Sequence, residues 1–523
     1  MGKVRRITAL VIVVWIAASP GSVVAQSRTS NDVQVTPERS TLSTGRTFTG
    51  ILEAPSGEEF FNPPTPIPGR PGDVIWATQS PQACADLFGT PNTGCNIPLP
   101  IVRGTSRTVE VWRVLLHSLD RMGRPRAVSA VIVADPETAA DSRVLLTQHG
   151  WAGMGDKCGI IGSRLGGGFA ALGNAVQNYL SDGWVLVAPS APGASAPGLT
   201  TSMVSGDSAR SLIDATWATH LFTGARPEVV MHGHSVGGMM VSGVGGVAQT
   251  YAPELTIRGL VMNAAYGLTG PGVPGFDRDR GQIIDKPFSY EAAVSKAGAL
   301  ALVAQYSQAF APKFKATDYL TKTGLRYMRT VTDSCAGAAI SEVSGMSWRQ
   351  LFKRTLEVPD QGSISRLSTI PTWFIVADGD EIVDPLISYH AYQALCRAGQ
   401  PTYLSMFEGR HGSSLSVLNP RDSSGLKSWI NRVARGEVPD GSCTSMQPMM
   451  ASWYLYTASQ LASAFGVDLQ PKDKVTADAT GSCRGSKQGV ITVKPGGTCS
   501  LTIKALRGRR AVTLLKVSVQ TRE

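Results

Sequence analysis

The 523-residue chain has no H-E-x-x-H motif and no C-x-x-C pair, and its seven histidines offer no third ligand at a plausible spacing beside His232 and His234. Those absences argue against a metal centre. No nucleic-acid-binding motif accompanies the formal net charge of +10, and no internal repeat is visible; nucleic acid is therefore not an expected partner. Beyond the first 25 residues no uninterrupted apolar run is long enough to cross a bilayer. The apolar fraction of 42% is ample for a large core, and nothing in the composition suggests disorder.

What the chain does have begins at its start. Residues 1–25 combine basic Lys3, Arg5 and Arg6, an apolar stretch from Ile7 to Ala18 and the small-residue end Val23-Val24-Ala25. That pattern predicts a secretory signal peptide and an exported product. Removing its three basic residues lowers the charge from +10 to about +7. The remaining basic residues are spread widely, with a local cluster at Arg507, Arg509 and Arg510. Attraction to anionic lipid headgroups or cell envelopes is one reading of that balance, and simple solubility is the other. Export also makes sense of eight cysteines as disulfides, near neighbours favouring Cys84–Cys95 and Cys483–Cys499.

Length points to a main domain with additions. After a loose polar segment to about residue 45, a Pro- and Gly-rich lead-in runs from Gly57 to Gly72. The runs Val109–Leu115 and Ala127–Val133 read as a hairpin. Strands at Val144–His149, Trp184–Ala188, Val229–His232 and Ile257–Asn263 then alternate with helices near Phe169–Ser181, Ser208–Phe222 and Met239–Thr250. Such alternation predicts an α/β fold, a mostly parallel sheet with helices on both faces. The alternation stops at 266–368, which reads as an inserted helical cap with a long helical stretch at Tyr290–Phe310. Helices are expected at Ser424–Ala434 and at 449–465, the latter closing a main domain of 26–470. Residues 471–523 read as a small β-rich addition.

Within this frame Gly233-His234-Ser235-Val236-Gly237 sits between a strand and a helix, the setting of a nucleophile elbow. A strand at Thr372–Ala377 ends in Asp378-Gly379-Asp380-Glu381, and another at Thr402–Phe407 ends in Glu408-Gly409-Arg410-His411. Open parallel sheets place their sites just past such strand ends. The order Ser, Asp, His is that of an α/β-hydrolase. Ser235 needs a base to take its proton, and His411 can accept and return it. A carboxylate must fix the imidazole tautomer. Asp380 is assigned that role, with Asp378 and Asp384 as runners-up; Asp378 and Glu381 otherwise read as loop solvation or turn caps.

The oxyanion hole calls for one N–H beside the nucleophile, from Val236, and one from an earlier loop. Gly150-Trp151, after the strand ending at His149, supplies the second, with the Trp151 N–H preferred. His234 is expected to pack beside the elbow, while His117, His220 and His390 read as structural or surface residues.

These residues resemble the secretory lipase family, the capped α/β-hydrolases that include lipase A-type enzymes. The resemblance runs from about Phe60 to Ala434. It is carried by Phe60-Phe61-Asn62-Pro63-Pro64, Pro71-Gly72-Asp73-Val74-Ile75, His149-Gly150 with Cys158, Gly233-His234-Ser235, Tyr251-Ala252-Pro253-Glu254-Leu255 and Gly409-Arg410-His411-Gly412. It implies a helical cap over an acyl site and disulfides Cys158–Cys335 and Cys396–Cys443, and it leaves out the final β region. Two departures, Ser190 after Ala188-Pro189 and Asp378 ahead of Gly379-Asp380, leave substrate preference open. The expected activity is that of a cofactor-free serine hydrolase acting on small-molecule or lipid esters, with a lipid interface as a candidate contact. Acyl transfer on the same triad, a non-catalytic hydrolase-fold binding protein and a peptidase are the alternatives.

Overall fold

The computed structural model describes residues 54–79, 109–265 with gaps between 136 and 199, 290–354, 369–413, 425–444 and, in pieces, 449–522. The expected signal peptide, the pair Cys84–Cys95, most of the helix at 169–181 and both ends of the 266–368 insertion lie outside those residues.

The apolar runs form a nine-stranded sheet among the described residues. Its strands are β1 (Val74–Gln79), β2 (Glu110–Leu119), β3 (Pro125–Ala134), β4 (Arg143–Gln148), β5 (Trp184–Pro189), β6 (Glu228–His234), β7 (Thr256–Asn263), β8 (Thr372–Ala377) and β9 (Thr402–Phe407). Their spatial order is β1-β2-β3-β5-β4-β6-β7-β8-β9. The first three run antiparallel, β2 and β3 forming the expected hairpin, and β5 onward is parallel. Strands β4 and β5 are buried nearly end to end, as strands covered on both faces must be. The chain places β5 on one side of β4 and then β6 on the other. That reversal opens a crevice at the carboxyl ends of β4 and β6, where open α/β sheets bind ligands.

Helix α1 (Ser205–Thr223) and helix α2 (Val236–Tyr251) pack together against the sheet. α1 is buried along most of its length. Its Thr216 and Thr219 therefore turn their hydroxyls back to the carbonyls of Leu212 and Ala215, at 2.9 and 2.8 Å. Between β7 and β8 lie α3 (Tyr290–Ala309), α4 (Ala316–Tyr319), α5 (Lys322–Thr332), α6 (Ala336–Val343) and α7 (Trp348–Leu351), the helical insertion. These helices share one apolar cluster with Val236 and Met239 of α2, so the insertion packs directly on the segment that follows Ser235. Inside it, buried Gln305 accepts from the Met203 N–H at 2.7 Å, tying α3 to the loop before α1. Helices α8 (Pro385–Arg397) and α9 (Leu426–Ala434) complete the main layers.

The first half of the helix expected at 449–465 is strand instead, β10 (Met449–Ala451) and β11 (Leu455–Thr457), while Ala458 and Leu461 in its second half are helical. The later strands explain the difference. They are β12 (Lys474–Gly481), β13 (Cys483–Gly485), β14 (Val490–Val493), β15 (Gly497–Arg507) and β16 (Arg510–Arg522). β10 pairs parallel with β16 and β11 antiparallel with β14. Sheet edges with unmet hydrogen-bonding groups captured a segment whose local composition favoured a helix. The C-terminal β structure thus draws in residues well before 471.

Candidate active site

Strand β6 delivers Ser235 into the crevice through a sharp turn. Its backbone sits at φ 56° and ψ −121°, a conformation forbidden to most L-residues. The surrounding contacts hold it there: the Ser235 N–H donates to the Asn263 carbonyl at 2.9 Å, and the Met239 N–H donates to the Ser235 carbonyl at 3.2 Å. The flanking glycines are required by space. A Cβ on Gly233 would lie 2.2 Å from the Gly237 carbonyl oxygen, and one on Gly237 would lie 2.4 Å from that of Gln148. Strand, turn and helix can close this tightly only without side chains at those two positions.

Strands β8 and β9 end side by side, and their loops are laced together. The Asp378 N–H donates to the Phe407 carbonyl and the Gly379 N–H to that of Gly409, both at 2.9 Å. The Asp378 carboxylate accepts from the Gly409 N–H at 3.2 Å. Asp380 is 1% exposed and places Oδ2 2.8 Å from Nδ1 of His411. Its Oδ1 accepts from the Ile382 and Val383 N–H groups at 2.9 and 2.8 Å, which fixes the carboxylate plane. Asp384, by contrast, caps α8 by accepting from the Leu386 N–H at 3.0 Å. The geometry thus brings Asp380, rather than either runner-up, onto the imidazole.

Glu381 departs from its expected part in loop solvation or a turn cap. Its Oε2 accepts from the His411 main-chain N–H at 3.0 Å, and Oε1 lies 3.4 Å from Nε of Arg410. No sequence signal marks that contact, because it depends on how two loops from different strands meet.

Burial governs the other histidines. The His234 ring lies 4.9 Å from the His411 ring, and its Nε2 is 3.4 Å from the His411 carbonyl. Loss of solvent, with His411 adding to it, holds His234 well below the usual imidazole range. His232 is pushed down to about 3 by burial. Thr147 and Asn263 meet its two ring nitrogens, each at 3.3 Å, partners that suit a neutral imidazole. Burial also lowers His149, whose Nδ1 lies 2.6 Å from the Gly150 carbonyl. His117 and His220 bond main-chain carbonyls of Pro68 and Ala225. Burial lowers His390 as well.

The Gly150-Trp151 loop lies against the elbow. A Cβ on Gly150 would stand 3.2 Å from Cβ of Ser235 and 3.2 Å from Nδ1 of His234. The same loop is fastened to the helical insertion. The Ala336 N–H donates to the Ala152 carbonyl at 2.8 Å, and the Met154 N–H to that of Ser334 at 3.1 Å. A disulfide joins Cys158 to Cys335 with Cα atoms 5.2 Å apart. Two more join Cys396 to Cys443 and Cys483 to Cys499, Cα distances 5.4 and 5.2 Å. The first of these two links α8 to the segment beyond α9, and the last joins β13 to β15.

The buried Asp380–His411 pair and the Ser235 turn both sit at the carboxyl ends of strands of one parallel sheet, and the His411 ring packs against that of His234, the residue before Ser235. The sequence comparisons agree in kind. The profile described as the alpha/beta hydrolase family matches residues 144–422. The chain belongs to the alpha/beta hydrolase family. No curated protein matches it by sequence. Among solved structures it is similar to lipase A of Candida antarctica in its closed state, with TM-score 0.54, 16% identity, and coverage of 72% of this chain and 84% of that one. A second structure of Candida antarctica lipase A gives TM-score 0.56 at 15% identity, covering 75% of this chain and 89% of that one. At such identities the likeness is one of fold: a lipase-like α/β-hydrolase with a helical insertion and added C-terminal strands.

Proposed function

We propose that this chain is an exported serine hydrolase of carboxylic esters, lipid or short-chain, that works through a Ser235-His411-Asp380 triad. His411 takes the Ser235 hydroxyl proton as the oxygen attacks the ester carbonyl, forming a tetrahedral oxyanion. The N–H groups of Val236 and of the Gly150-Trp151 loop receive that oxyanion. Collapse expels the alcohol, which leaves with the proton from His411, and an acyl-serine remains. Water, deprotonated by the same imidazole, then adds and releases the acid. Asp380 holds the imidazole in the productive tautomer and balances its transient positive charge. A neutral His234 suits this scheme, since a second cation beside His411 would oppose formation of the imidazolium.

The helices at 290–351 serve as a cap over the acyl site in this reading, excluding water and shaping the apolar pocket. Residues 1–25 direct export. The observation that carries the reading is the 2.8 Å contact between Asp380 and His411, at the carboxyl ends of β8 and β9, strands that run parallel to β6 in the sheet whose end carries the Ser235 turn. Its test is turnover of nitrophenyl esters of graded chain length by wild type and by Ser235→Ala. Hydrolysis that vanishes in a folded Ser235→Ala protein supports it. Wild type that binds these esters without turnover, or turns over only with an added alcohol acceptor, contradicts it.

A further inference from the structure

The charge of this molecule is concentrated where the ester chemistry has no use for it. Residues 471–523 hold eleven lysines and arginines against three acids, a net +8 out of +10 for the whole chain. The same stretch has no Phe, Trp or Tyr.

The strand register puts three of those lysines, Lys474, Lys504 and Lys516, on one face. On the inner side Leu501, Ile503 and Val519 are buried in the same apolar cluster as Leu386 and Leu395 of α8. The opposite side pairs Thr476 with Lys504 and Thr480 with Ser500 between β12 and β15. Between β15 and β16 it pairs Thr502 with Lys516, Lys504 with Thr513 and Ser500 with Ser518. This side carries hydroxyl groups with Lys474, Lys504 and Lys516 among them. Lys474 stands opposite Leu506, two residues from Lys504, and Lys516 stands opposite Thr502, two residues from Lys504 on the other side. Diagonal neighbours of that kind are about 7–8 Å apart. Among the described residues the carboxylate on these strands is Asp478, bound to Lys504 at 2.5 Å. Neither Lys474 nor Lys516 forms an ion pair among the described residues.

We propose that the outer face of β12, β15 and β16 is a binding surface for an acidic polysaccharide. Cations in a row match a linear polyanion, and the hydroxyls between them can exchange hydrogen bonds with sugar hydroxyls and carboxylates. A bilayer fits less well. The exposed Leu506 and Val512 fall on opposite faces of the β15–β16 hairpin and so form no common apolar patch, and the aromatic anchors of membrane interfaces are missing. Single-stranded nucleic acid would want stacking platforms that this stretch does not contain.

The test is retention of the full chain on immobilised polygalacturonate across a salt series, beside vesicles containing phosphatidylglycerol and single-stranded DNA at equal ionic strength. Wild type is expected to bind the polysaccharide and to elute as salt rises. The combined Lys474→Gln, Lys504→Gln and Lys516→Gln variant should bind about tenfold more weakly at low salt with a flatter salt dependence. Its melting temperature and its turnover of a small soluble ester should stay at wild-type values. Asp478→Asn, which releases Lys504, should bind more tightly. Absence of retention, equal retention by the lysine variant, or tighter binding to vesicles or DNA than to polygalacturonate would overturn the proposal.

Discussion

Glu381 accepts the main-chain N–H of His411 at 3.0 Å, one residue along from the Asp380 carboxylate that accepts the same histidine's ring at 2.8 Å. Adjacent carboxylates therefore hold both the backbone and the imidazole of one residue. Glu381→Ala is expected to lower kcat about tenfold, the worth of one charge-assisted hydrogen bond, with KM little changed. Glu381→Gln keeps an acceptor oxygen and should restore most of the rate. Steady-state kinetics on both variants checks this; equal losses in both would mean that the contact with Arg410, not with His411, is what matters.

The carboxylates of the acid loop should separate cleanly. Asp380→Asn should cost on the order of 10³–10⁴ in kcat, because the amide no longer holds the imidazole in the productive tautomer. Asp384→Asn should leave turnover intact and stability nearly so, since asparagine caps a helix about as well as aspartate. A profile in which Asp384→Asn is the inactive variant would reassign the acid.

Three buried histidines are expected to lower stability in mild acid. His149, His232 and His234 all have values lowered in the folded chain. Between the unfolded value of 6.5 and a folded value of about 3 for His232, the unfolded chain takes up a proton that the folded chain refuses. Below pH 6.5 stability therefore falls as pH drops, by up to about 1.4 kcal/mol per pH unit for His232, and His149 and His234 act in the same direction. Urea unfolding from pH 7 to pH 5 should show this fall, before ordinary carboxylates titrate. His232→Gln should reduce the slope; an unchanged slope would remove His232 from the account.

The disulfide between Cys158 and Cys335 closes a loop with a sequence separation of 177 and ties the Gly150 loop to the helical insertion. Replacing both cysteines by serine should cost about 2–5 kcal/mol of stability. Because the Ala152–Ala336 and Met154–Ser334 hydrogen bonds share the same junction, ester turnover should fall further than the melting temperature alone explains. Calorimetry together with kinetics well below the melting point reads the two effects separately.

Much of this arrangement could be read from residues alone, for a physical reason. Continuous apolar runs such as Val185-Leu186-Val187 and Phe374-Ile375-Val376 commit to buried parallel strands. Once strands are placed, their carboxyl ends locate Ser235, Asp380 and His411. What escaped depends on partners distant in sequence. The residues of Met449–Ala451 and Leu455–Thr457 are helix-compatible and become strand because β16 and β14 offer edges. Glu381 is an ordinary loop carboxylate until β9 brings His411 beside it. Among Asp378, Asp380 and Asp384, position past the strand favoured Asp380 and left the other two as runners-up; the bonds from Ile382, Val383 and Leu386 fix where the Asp380 and Asp384 carboxylates point.

The central claim, that Ser235 is the nucleophile, is tested most directly by reaction with a fluorophosphonate ester followed by peptide mass spectrometry. The account predicts one adduct, on the peptide containing Ser235, formed at a rate that collapses in His411→Ala and abolished in Ser235→Ala. An adduct on another residue, or esterase turnover that persists in Ser235→Ala without labelling, would contradict it.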